Sequence, residues 1–158
     1  MSLPKCKNGF LPDGEHASEI NEVYMRFGTL EEYRFRGAIY EQLLFVFNKI
    51  KEYAKIIEGD FYLDDSFISE IPRPDRVVIV FAFSLSASNK NPHLYSEFFE
   101  ELKEITEINP SVVLRPLIKD FPDFNENLGI YKILRPSSYP NMPHKRPFKK
   151  GIVKLEVI

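Results

Sequence analysis

At 158 residues the chain can bury one substantial core and is too short for two ordinary ones, so a single domain over residues 1–158 is expected. A formal net charge of -2 excludes a general polyanion binder with a broad basic surface. The lone Cys6 excludes an internal disulfide and suits a structural thiol.

No run of residues approaches the ~20 apolar positions that a bilayer crossing needs. Residues 1–10 also lack the basic start and apolar middle of a signal peptide. A soluble, cytoplasmic protein without a membrane partner is expected. Aromatic residues make up 14% of the chain without a single tryptophan. Most recur at helical or strand spacing, which assigns them to core packing rather than to a stacking platform for bases.

In chain order, Asp13-Gly14 signals a turn. Ser18 is placed to cap a helix whose first turn holds Glu19 and Glu22, acids favoured at the positive end of the helix dipole. Ile20, Val23, Tyr24 and Phe27 form its apolar stripe, and Gly28 stops it. Thr29-Leu30-Glu31-Glu32 reads as a capping box. The helix it opens runs to about Ala54 and buries Ile39, Tyr40, Leu43, Leu44, Phe47 and Ile50.

Phe61 and Leu63 alternate with polar neighbours in a first strand, and residues 76–83 are apolar on both faces, as a covered central strand requires. Asn91-Pro92 opens a third helix with Leu94, Phe98, Leu102 and Ile105 on one face, and Asn109-Pro110 ends it. Residues 111–114 form a third strand, which Pro116 either ends or confines to an edge.

The stretch at about 119–150 is Pro-rich, with Pro122, Pro136, Pro140, Pro143 and Pro147. It predicts an irregular connection with a short ordered island at 129–134. Val153, Leu155 and Val157 alternate with Lys154 and Glu156 in a half-buried closing strand. The fold class expected is α/β (α+β), with helices packed on a small mixed sheet.

Three short motifs carry a resemblance. Leu11-Pro12-Asp13-Gly14-Glu15-His16 precedes Glu22-Val23 and Arg26-Phe27-Gly28. Asp65-Ser66 follows the first strand and Asp75 precedes the second. Lys150-Gly151-Ile152-Val153 closes the chain. In this order they resemble an uncharacterised bacterial family of nucleotidyltransferase-like proteins, related to the minimal nucleotidyltransferases.

In that superfamily a Gly-Ser pair follows the first strand, and the second carries carboxylates at i and i+2. Residues so spaced point to one side of a strand, where two carboxylates hold Mg²⁺ against nucleotide phosphates. This chain departs from the pattern. Asp65 stands where Gly is expected, and the paired acid positions fall on Asp75 and Val77, or on Pro74 and Arg76. The resemblance therefore implies a nucleotidyltransferase-like fold with a degenerate active site and impaired catalysis.

Asp75 is the remnant catalytic acid and metal ligand, with Asp64 as a weak second ligand for Mg²⁺. Ser66, Asp65, Arg73 and Arg76 are the candidate nucleotide-binding residues: Ser66 can offer a hydroxyl to phosphate, and the arginines a planar fork. The same residues also read as solvated loop acids, a turn serine and surface ion pairs. Glu70 is a further nearby acid.

His16, His93 and His144 lie in distant segments without zinc spacing. His16 is expected to order its loop by hydrogen bonds. The basic run His144-Lys145-Arg146-Pro147-Phe148-Lys149-Lys150 can contact nucleic acid or remain a solvated loop. Neutralising Lys145, Arg146, Lys149 and Lys150 together is expected to leave the fold intact.

The function expected is a nucleotide- or protein-binding module, its partner a separately encoded protein of the toxin-antitoxin kind. The alternatives are an Mg²⁺-dependent nucleotidyltransferase using Asp75 with Asp64 or Asp65, and a nucleic-acid-binding module using the basic segment.

Overall fold

The computed structural model describes residues 3–30, 33–134 and 147–157. Its elements are β1 (Gly14–Ser18), α1 (Ile20–Val23), a π-helical turn (Tyr24–Gly28), α2 (Tyr33–Tyr53), β2 (Asp60–Asp64), β3 (Val77–Phe83), α3 (Leu85–Lys90), α4 (Pro92–Ile108), β4 (Val112–Ile118), α5 (Phe124–Ile130), β5 (Ile133–Leu134), β6 (Phe148–Lys149) and β7 (Gly151–Leu155). Five strands form one mixed sheet in the order β1-β7-β2-β3-β4. β1 runs parallel to β7 and β3 parallel to β4, whereas β2 is antiparallel to both of its neighbours. β5 and β6 form a separate antiparallel pair. The class is the α/β expected from the order of periodic segments.

Strand alternation sorts the core into two layers. Phe61, Leu63, Val77, Ile79, Phe81, Val153 and Leu155 face α2 and α4 in the larger cluster. Tyr62, Val78, Val80, Ala82 and Ile152 face the other way, against Leu128 of α5. The central strands are thus covered on both sides, which is why β3 is buried at every position. On the helical face Phe61 stacks on Phe81 at 4.7 Å, and Phe98 of α4 meets the Phe81 ring edge-on at 5.2 Å.

On α2, Ile39, Leu43, Phe47 and Ile50 are buried, with Tyr40 and Leu44 packed at the margin of the cluster. Tyr95, Phe98 and Leu102 are the buried stripe of α4, opened by Pro92 and closed at Asn109. Leu94 and Ile105 are partly buried beside them.

Several local expectations are corrected. Ser18 ends β1 and is not a cap: Glu19 is the N-cap of α1, while the Ser18 hydroxyl donates to the Glu22 carboxylate at 2.9 Å. The Thr29 hydroxyl donates back to the Met25 carbonyl oxygen, and Glu31 and Glu32 of the expected capping box lie outside the described residues.

The strand expected to stop near residue 114 continues through Pro116 to Ile118. It can do so because it is the edge of the sheet, where a missing donor on the open side costs nothing. The stretch expected to be irregular holds α5, β5 and β6. Of its prolines, Pro136, Pro140 and Pro143 lie outside the described residues. The closing strand is interior rather than half-buried, with Ile152 on one face as buried as Val153 on the other.

Candidate functional site

The connection between β2 and β3, residues 65–76, is where the candidate residues meet. β2 ends at Asp64 and the antiparallel β3 starts at Val77, so the turn brings Ser66 back beside Asp75. The Ser66 hydroxyl, on a buried residue, donates to the Asp75 carboxylate at 2.7 Å. It also accepts the backbone N–H of Asp75 at 3.0 Å and of Arg76 at 3.3 Å. A serine hydroxyl has one donor and two acceptor sites, and all three are engaged here.

Asp65 takes a positive φ of 82°, a conformation natural to glycine and tolerated by Asp. Its carboxylate accepts from the backbone N–H of Ser66 at 2.7 Å and from Arg76 Nε at 2.7 Å.

The rest of the loop is held from within. Arg36, 1% exposed, reaches up from α2 and donates to the carbonyl oxygens of Phe27, Phe67 and Ile71. Ser69 donates to the Ser66 carbonyl oxygen, and the Glu70 amide donates to that of Gly9 at 2.8 Å. Arg73, at φ 51°, lays its guanidinium 5.8 Å from the Phe35 ring centroid, and the next residue, Pro74, is buried. A long loop with a left-handed non-glycine residue is stable only when its surroundings over-determine it, and this hydrogen-bond set does so.

Asp64 points elsewhere. It is buried, and its carboxylate accepts from Lys150 Nζ. The same ammonium donates to the Tyr131 carbonyl oxygen at 2.8 Å. Burial pushes the Asp64 carboxyl above its ordinary value, with the Lys150 ammonium pulling the other way. Lys150 is therefore an interior residue and not part of a solvated basic loop, which corrects the reading of residues 144–150. His144, Lys145 and Arg146 lie outside the described residues, while Lys149 is exposed.

The remaining motif residues also serve the fold. The opening and closing motifs lie side by side, since Gly14 pairs with Gly151 in the β1-β7 ladder. The Gly151 amide donates to the Leu11 carbonyl oxygen at 2.8 Å. A side chain on Gly151 would collide with the Pro12 carbonyl oxygen and stand 2.7 Å from the His16 ring, so the close approach demands glycine. His16 Nε2 lies 2.6 Å from the Pro12 carbonyl oxygen; a carbonyl can only accept, so this nitrogen carries the proton and orders the loop. Glu22 accepts from the Leu3 amide, and Arg26 donates to the carbonyl oxygens of Leu3 and Pro4. Cys6 is partly buried, and burial pushes its thiol up, away from the thiolate a nucleophile needs.

The donor set does not fit Mg²⁺. The ion takes several hard oxygens in octahedral geometry. Here Asp64 is spent on Lys150, Asp65 on Arg76, and one oxygen of Asp75 on Ser66. Among the described residues no group of three or more His, Cys, Asp or Glu side chains is gathered to hold a metal ion. Also among them, no helix is long and apolar enough to cross a membrane.

Sequence reasoning missed Arg36 and the Asp64–Lys150 pair. An arginine on an amphipathic helix gives no sign of its burial, and the pair joins positions 86 residues apart. No curated protein and no solved structure matches the chain. A family model does match it over residues 4–156, a span reaching from the segment held by Glu22 and Arg26 to the end of the central closing strand. The chain thus belongs to a family of unknown function, DUF6932.

Proposed function

We propose that this chain is a nucleotidyltransferase-like scaffold that has given up nucleotidyl transfer and works by binding, with a separately encoded protein of the toxin-antitoxin kind as its partner in a bacterial cytoplasm. The observation that carries this reading is the Ser66–Asp75 hydrogen bond of 2.7 Å across the ends of two antiparallel strands. It joins the two motifs that carry the resemblance and ties their groups to each other. The glycine-type backbone of Asp65, in the place of the superfamily's glycine, supports the kinship. The ion pairs of Asp64 and Asp65 support the loss of catalysis, because a carboxylate held by a cation is a poor metal ligand. Asp64 in particular lies in the interior, which weighs against a transfer mechanism pairing it with Asp75.

Arg73 and Arg76 keep their exposed positions beside this turn, so weak, metal-independent nucleotide contact is compatible with the reading. The test is titration calorimetry with ATP and Mg²⁺, together with a transfer assay using labelled ATP. Weak or absent binding is expected, with no transfer and no change in Asp75→Asn. Metal-dependent nucleotidylation of any acceptor, abolished by Asp75→Asn, would overturn the proposal.

A further inference from the structure

α2 and α4 run antiparallel on one face of the sheet. The Gln42 side chain accepts the Ser111 amide, just past the end of α4, at 2.9 Å. Tyr53, at the end of α2, packs edge-on against Phe98 at 5.0 Å and donates to the Glu101 carboxylate at 2.6 Å. Outward of these contacts each helix shows one stripe at helical spacing. On α2 it holds Phe45, Lys49 and Glu52, and on α4 it holds Glu97, Glu101, Glu104 and Ile108. Lys49 Nζ, 4.0 Å from the Glu101 carboxylate, sets the two stripes side by side.

Phe45 is 55% exposed and Ile108 71%, which is unusual for side chains of that size. The antiparallel run places both toward the end where Gln42 meets Ser111. The charge along the groove is of one sign. Glu52, Glu97, Glu101 and Glu104 face Lys49, which already bonds the Glu52 carboxylate at 2.9 Å. Helical spacing turns the nearby Lys51 and Lys103 onto other faces of their helices.

We infer that this groove binds a basic amphipathic helix of a partner protein, laid along α2 and α4 as a third helix. The inference rests on the protein-binding role proposed above and gives that role a surface. A groove between two helices accepts a third by the same ridge-and-groove packing that joins the first two. In this mode of recognition apolar anchors at helical spacing dock on exposed apolar side chains. Here the anchors meet Phe45 and Ile108, while flanking lysine or arginine meets the carboxylates. Those carboxylates also decide against other occupants. A second copy docked by the same face would set acids against acids, and nucleic acid or an anionic lipid surface is repelled.

The test uses the full chain and a fluorescent peptide of about 15 residues, the length at which an isolated helix becomes stable. It carries leucine on one face and lysine on the other, and a counterpart carries glutamate for lysine. Fluorescence anisotropy gives affinity, and amide chemical shifts locate the site. The lysine peptide should bind and shift the amides around Phe45 and Ile108, and the glutamate peptide should not bind. Charge reversal by Glu97→Lys with Glu104→Lys should weaken binding at least about tenfold, as close interfacial charges do. The same change of charge by Glu19→Lys with Glu156→Lys, at exposed positions beside the end of β1, should leave it unaltered. Phe45→Ser with Ile108→Ser removes apolar surface that is already exposed, so the chain should melt as wild type. It should nevertheless lose at least about tenfold in affinity, because the peptide no longer buries those side chains.

Absence of binding by the lysine peptide, equal binding of the glutamate peptide, or shifts centred elsewhere would each overturn the inference. So would an equal loss in the Glu19 and Glu156 variant, or no loss in the folded Phe45 and Ile108 variant. Nucleotidyl transfer by a chain that still binds the peptide along α2 and α4 would instead overturn the proposed function and leave this surface standing.

Discussion

At the scale of single residues, the charged groups that suggest chemistry are mostly absorbed by the fold. Lys150→Met should cost about 3–5 kcal/mol at neutral pH, since it leaves the buried Asp64 carboxylate without its cation. The pH dependence follows from the raised Asp64 value. A carboxyl whose folded value lies above its unfolded one keeps its proton in the native state over a range where the unfolded chain has lost it. Stability is then full below the ordinary carboxylate value and falls as pH rises through the raised one. Without Lys150 that window extends upward, so the penalty measured by urea unfolding should grow from acid to neutral pH. A penalty independent of pH would contradict this account, whereas Asp64→Leu combined with Lys150→Met should recover most of the loss.

Ser66 offers a second check. Ser66→Ala should cost about 1–3 kcal/mol, because the Asp75 and Arg76 amides lose their acceptor. Asp75→Asn keeps an acceptor for the Ser66 hydroxyl and should cost under about 1 kcal/mol, within the range of ordinary surface changes. A chain destabilised more by Asp75→Asn than by Ser66→Ala would mean that the carboxylate charge, rather than the serine hydroxyl, organises the turn.

At the scale of elements, β7 carries more than its length suggests. It lies between β1 and β2, so each of its faces meets a core cluster and both of its edges are paired. Leu155 faces the helical layer and is 5% exposed. Leu155→Ala should cost about 2–5 kcal/mol in chemical unfolding, the range for cavities in a core. A cost below about 1 kcal/mol would show that the site collapses around the missing atoms. The alternation of Val153 and Leu155 is legible as a strand, but it ends at Leu155, and Val157, expected to continue it, lies beyond and is only partly buried. Ile152, by contrast, falls outside that alternation, and it is packing with Leu128 of α5 that accounts for its burial.

At the scale of the molecule, deletion from Gly151 onward removes an interior strand and leaves β1 without the partner it has among the described residues. The product should be insoluble or fail to unfold cooperatively, as scanning calorimetry would record. Neutralising Lys145, Arg146, Lys149 and Lys150 together should destabilise the chain, because Lys150 is interior. Lys149→Gln alone, at an exposed position and with Lys150 intact, should melt close to wild type, as surface changes usually do.

Local physics is written along the chain. The 3.6-residue spacing places the buried stripes of α2 and α4, and the unbroken apolar run from Val77 to Phe83 marks a strand covered on both sides. Asn91-Pro92 and Asn109-Pro110 set the bounds of α4, and Pro116 marks an edge. These signals depend on neighbours in sequence, whose relative directions follow from the backbone dihedrals alone.

The tertiary structure decided the rest. It paired Gly14 with Gly151, sank Lys150 against Asp64, drew Arg36 under the loop and closed Ser66 on Asp75. Each contact is set by where distant segments pack, and whether a charge is solvated or internal depends on what covers it, which spacing does not encode.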